Sequence, residues 1–132
     1  MSTETQTATE LELVTLYRPV GQTELDMIRY YEFRAFPPRW PTQPLFYPLA
    51  TEQYATEVAQ TWDAQQGGHR VGYVLRFQVS KAYLERYDVQ LVGRRYHQEY
   101  WVPAEELDAF NQQIVGSIEV IAEYHGDVEG VA

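Results

Sequence analysis

Three positions in this chain carry residue types whose surroundings suit chemistry rather than scaffolding. In the first, Val14, Leu16 and Arg18 fall on one side of an alternating stretch that ends Leu16-Tyr17-Arg18-Pro19. A cation in a core-facing row must sit where the core opens to water or to an anion, because burying it unpaired is costly. In the second, Leu45-Phe46-Tyr47-Pro48 puts an aromatic pair directly ahead of a helix cap at Thr51. In the third, Glu99 opens the stretch Glu99-Tyr100-Trp101-Val102 and alternates with Trp101, so its charge lies beside a large aromatic surface. His97, two residues earlier, would pair with Glu99 as acid and base in a small-molecule hydrolase.

Other chemistries are excluded or disfavoured. The 132 residues contain no cysteine, which removes disulfides, thiolate metal sites and cysteine nucleophiles. There is neither a GxGxxG nor a GxxxxGK[ST] loop to cradle phosphates. His69, His97 and His125 are not spaced as metal ligands, so no metal is expected. Net charge is −9, which disfavours generic nucleic-acid binding. All ten cations lie between Arg18 and Arg95, and eight of the nineteen acids follow Arg95. An anionic ligand would therefore meet the arginines of the middle segment. A polar, acidic N-terminus without an apolar core offers no secretory signal, and no apolar run approaches the length of a membrane span. These features predict a cytoplasmic protein that does not enter membranes.

The elements that would position these residues read as one α+β domain over 11–125, after a lead-in at 1–10 and before a flexible tail at 126–132. Leu11 to Arg18 reads as a strand that Pro19 ends, since proline has no N–H to give. A short helix follows, with Thr23 as its N-cap. Five prolines in 33–48 forbid a helix there and predict an aromatic-packed loop with a short strand, Leu45 to Tyr47. Thr51 caps a helix to about Ala64, with Tyr54, Val58 and Trp62 at spacing four, and the stretch QQGGH at 65–69 breaks it. Val71 to Val79 alternates most cleanly. A helical turn at Lys81 to Tyr87, strands at Val89 to Val92 and Glu99 to Val102, a helix from Pro103 with Leu107, Phe110 and Ile114 facing inward, and a last strand from Ser117 to His125 complete the series. The order predicts a curved, mostly antiparallel, split sheet with three to four short helices.

In order and spacing, Arg18, Tyr47 and Glu99 resemble the core pattern of the ADP-ribosyltransferase fold, and the resemblance covers most of residues 14–124. The stretches LYRPVG, AFPPR, FYP and WVPAEEL also resemble a family of small bacterial proteins whose names mention ADP-ribosylation and J-crystallin. The resemblance implies NAD as a substrate rather than a tightly bound cofactor. It implies that Arg18 holds the dinucleotide, with help from Arg34, Arg39 or Arg95 on the diphosphate. Tyr47, Phe46 or Trp40 would then stack on the nicotinamide, Glu99 would stabilise the ribosyl cation, and His97 would position an acceptor. Activity would be ADP-ribosyl transfer or NAD hydrolysis. Two other readings stand beside it: a non-catalytic binding module using the aromatic stretch 33–48, and a scaffold in which Arg18 pairs with Glu99 to close the sheet.

Overall fold

The structure, a computed structural model, describes residues 12–63 and 70–126, with Trp62 and Asp63 described by their backbone alone. The lead-in at 1–10, the QQGGH break with His69, and the tail beyond Gly126 lie outside the described residues. Gly126 itself donates its N–H to Arg70 O at 2.7 Å, which ties the start of that tail to the fold.

Among the described residues, seven strands and four short α-helices follow one another, and every strand pair is antiparallel. The main sheet consists of β1 (Leu13–Val20), β3 (Val71–Ser80) and β7 (Ile114–His125), with β3 in the middle. Two small pairs complete the architecture: β2 (Leu45–Phe46) with β6 (Val102–Pro103), and β4 (Val89–Leu91) with β5 (Gln98–Tyr100). The helices are α1 (Gln22–Tyr30), α2 (Glu52–Val58), α3 (Lys81–Leu84) and α4 (Leu107–Asn111). The fold is thus α+β with a split antiparallel sheet.

Local chemistry explains most boundaries and corrects several. Thr51 caps α2 by accepting the Tyr54 N–H at 3.2 Å, and Ser80 caps α3 through Tyr83. Thr23 is not a cap, because α1 begins one residue earlier behind Gly21 with no side-chain cap. Past Val58 the helix widens into a π-helical turn, Ala59–Asp63. Ile114 belongs to β7 rather than to the helix, since α4 ends at Asn111. The alternation in β7 is broken where Val74 and Leu75 pair with Ala122 and Val120, leaving Ile121 as an extra residue. Val120 stays opposite Leu75 and is exposed, whereas Ala122 and Tyr124, past the extra residue, lie on the face of Val74. The expected strand from Glu99 to Val102 is really two strands, because β5 pairs with β4 and β6 pairs with β2.

The proline-rich segment is an integral part of the interior. Phe36 and Phe46 are buried, with ring centroids 4.9 Å apart, and they pack on Phe77 and Phe110. Asn111 clamps the segment by accepting the Phe36 N–H at 2.9 Å and donating to Phe36 O at 3.0 Å. The sheet's other face carries a smaller cluster, Leu49, Ala55, Ala59 and Val74. Phe46→Ala is expected to cost about 3–5 kcal/mol of stability, read as a lower urea midpoint, because its cavity opens at the meeting of four rings.

Candidate functional site

The site begins as a missing hydrogen bond. Tyr17 and Leu49 exchange two backbone bonds, Tyr17 N–H to Leu49 O at 2.9 Å and Leu49 N–H to Tyr17 O at 2.8 Å. Two residues further in that register Pro19 would face Tyr47, and Pro19 has no N–H to give. The ladder stops there, and Tyr47 O accepts from Arg18 Nη1 at 3.4 Å instead. On its other side β1 stays paired through Pro19 and Val20 with β3. Pro19 therefore ends the pairing on one edge only, which refines the expectation that it ends the strand. Leu49 also bridges Glu99, so one residue joins β1 to β5.

Beside this junction lies a cavity of about 350 Å³. Tyr54 and Val58 of α2 form one wall, Tyr47, Glu99 and Trp101 form another, and Arg18, Pro19 and Leu49 lie at the split. Arg18, Tyr47 and Glu99 thus border a single cavity. They do not leave the sheet on the same side. Tyr17, Leu49 and Glu99 are cross-strand neighbours and share a face, whereas Arg18 follows Leu16 and Val20 toward the main core. Arg18 reaches the cavity edge through the gap.

Glu99 is only 8% exposed and both of its oxygens are engaged. Tyr54 Oη donates to Oε2 at 2.6 Å and Trp101 Nε1 donates to Oε1 at 2.8 Å. Burial, and after it the bond to Glu99, pushes the Tyr54 phenol far above its ordinary value, so it stays a donor. Both donors are neutral and leave the carboxylate's charge uncompensated.

Arg18 is equally buried but differently partnered. Nε and Nη2 grip Glu24 at 2.7 and 2.9 Å, and the guanidinium lies 4.6 Å from the Phe46 ring centroid. Arg18 pairs with Glu24, not with Glu99. Of its five N–H groups three are used, and two remain at the cavity edge.

The remaining expected site residues fall into place around this centre. Phe46 is wholly buried, so it backs Arg18 and offers no face to a ligand; the expectation that it stacks on nicotinamide is corrected. Arg39 is half-buried, donates Nε to Leu45 O at 3.1 Å and lines an adjoining groove with Glu24 and Trp40. Burial and the neighbouring Arg18 lower its pKa, which marks Arg39 as a cation close to another cation. Arg95 is exposed on the loop before β5 and does not border the cavity, nor does exposed Arg34.

His97 is also outside the cavity lining. Its Nδ1 accepts the Arg94 N–H at 2.9 Å, which assigns the proton to Nε2, 2.9 Å from Glu57 Oε1. The role expected for it as a catalytic acid or base is thus replaced by a pin. His97 stacks on Tyr54 at 4.6 Å and, with Tyr96 donating to Glu57, ties the loop before β5 to α2. A Cβ on Gly93 would lie 2.4 Å from His97 Nδ1, so only glycine lets the imidazole close there.

Glu24, Tyr54 and Glu57 escaped the sequence reading. Tyr54 and Val58 read there as a core stripe, and only the terminal phenol hinted otherwise. Glu24 had one signal, an acid in the first helical turn six residues after Arg18 across a sharp Pro-Val-Gly connection. Among the described residues no group of three or more His, Asp or Glu is placed to hold a metal ion, and no helix is long and apolar enough to cross a membrane. No protein-family model and no curated protein matches the chain.

Two outcomes follow. Glu24→Ala strands the Arg18 charge and is expected to destabilise by roughly 3–5 kcal/mol in urea unfolding. Hydrogen bonds from Tyr96 and then His97 hold the Glu57 carboxyl below its ordinary value. A depressed folded pKa adds stability that is complete above the unfolded value of about 4.3 and lost as pH falls through the folded one. Wild type should therefore lose more stability than Glu57→Gln between about pH 6 and pH 3 in the same assay.

Proposed function

We propose that the chain is an ADP-ribosyltransferase-like domain whose cavity takes the nicotinamide-ribose end of NAD. The observation that carries this reading is that Arg18, Tyr47 and Glu99, drawn from three separate segments, border one cavity. At about 350 Å³ the cavity suits one ring and its sugar, not a whole dinucleotide. The diphosphate would lie toward the split, where Arg18 keeps two N–H donors and Arg39 stands close by.

In this reading the bond between the ribose carbon and the nicotinamide nitrogen breaks, and its electron pair leaves with nicotinamide. The ribose becomes oxocarbenium-like, and Glu99, held by Tyr54 and Trp101, faces the developing charge. Because both holders are neutral, the carboxylate keeps its full charge for the ribose. Water or an acceptor side chain then attacks and loses a proton, giving hydrolysis or transfer. His97 acts only indirectly, through Tyr54 and the loop that carries Glu99.

A second reading is favoured by one observation. Arg18 is already satisfied by Glu24, as it would be in a non-catalytic binding module on the same fold. Trp40, 67% exposed, would then belong to the contact surface. Calorimetry with NAD and ADP-ribose separates the two. The enzyme reading expects both to bind wild type, and expects Arg39→Gln to weaken both. In Glu99→Gln the affinity for ADP-ribose should be near normal, while nicotinamide release from NAD falls about 100-fold or more. Failure of both compounds to bind at about 1 mM, a concentration at which even a weak −4 kcal/mol site registers, leaves the binding module.

A further inference from the structure

The charges around the cavity do not cancel, and the sign left over is negative. Arg18 would be the natural anion anchor, but its two-point grip on Glu24 makes a neutral pair at the cavity edge. Glu99 is held only by a phenol and an indole, neither of which carries charge. Arg39, a second cation beside Arg18, lines the adjoining groove and not this cavity. The Glu57 carboxylate of α2 is turned to Tyr96 and His97. What remains is one buried carboxylate among the aromatic side chains of Tyr47, Tyr54 and Trp101, with Val58 and Leu49 as apolar walls.

We infer that this cavity is a recognition site for a small, permanently charged organic cation, a pyridinium or quaternary ammonium group, in its own right. A weakly hydrated organic cation gives up little hydration on entering, gains the full Coulomb attraction of Glu99 and meets aromatic walls whose electron-rich faces attract it. A small inorganic cation would find one carboxylate with both oxygens already accepting, too few ligands to replace its water shell. An anion would meet Glu99 unscreened. The inference does not rest on the dinucleotide reading, because it needs neither the ribose nor the diphosphate.

The test compares 1-methylnicotinamide with 3-methylbenzamide, which has the same shape but carbon in place of the charged nitrogen, by calorimetry on the full chain. The cation is expected to bind at least about tenfold more tightly to wild type, and the gap should close to within about twofold in Glu99→Gln. Trp101→Phe removes one donor and one aromatic wall but leaves the charge, and should keep a preference for the cation. Equal binding of the two isosteres to wild type, a preference that survives in Glu99→Gln, or no binding of the cation at about 10 mM overturns the inference, and the wild-type comparison stands even if a variant fails to fold. NAD and ADP-ribose titrated alongside separate the two ideas. NAD binding without cation preference ends this inference alone, whereas cation preference without binding of either nucleotide confirms it and ends the transferase reading.

Discussion

Leu49 is the residue on which the geometry depends. It bonds twice to Tyr17 on one side and bridges Glu99 on the other, so a single backbone position joins the main sheet to the β4–β5 pair. The bonds on either side, Ala50 N–H to Gln98 O and Tyr100 N–H to Pro48 O, lock β5 against the same segment. Pro19 then forbids the next rung toward Tyr47, and the sheet must part. A cavity at this point is therefore a consequence of backbone chemistry: pairing that is enforced at one residue and impossible two residues later.

The charged groups around the split are reconciled one by one, and each solution differs. Arg18 is buried with a carboxylate on its edge, an aromatic ring against its face and a carbonyl that Pro19 cannot serve. Glu99 is buried with two neutral donors. The first arrangement cancels charge and the second preserves it, because hydrogen bonds from neutral groups solvate a carboxylate without neutralising it. This asymmetry is what gives the cavity a sign. Arg18 supports the fold through Glu24 and still keeps two donors to spare.

His97 illustrates how a chemically capable group can be consumed by structure. Sitting two residues before Glu99, it looks like a partner in proton transfer. In the fold it precedes β5, where the turn after Arg94 carries it, and both ring nitrogens are occupied by Arg94 and Glu57. Its ring instead supports Tyr54, whose phenol fixes Glu99, so it reaches the cavity through one intermediary.

The α+β class, the Thr51 cap, the core row of β3 and the cost of burying Arg18 and Glu99 were legible in the sequence. Each depends on interactions within a few residues, namely alternation, capping and the missing N–H of proline. Glu24 as the partner of Arg18, the buried placement of Phe46, the turning away of His97 and the recruitment of Tyr54 were decided by tertiary structure. These depend on which residues distant in the chain come within about 3 Å, a distance set by register and packing that local pattern does not encode. The irregularity at Ile121 makes the same point: one extra residue exchanges the two faces of a strand, and only the pairing with β3 reveals it. The sequence by itself established which groups were costly to bury; the fold decided what each was buried against, and so which of them kept its charge.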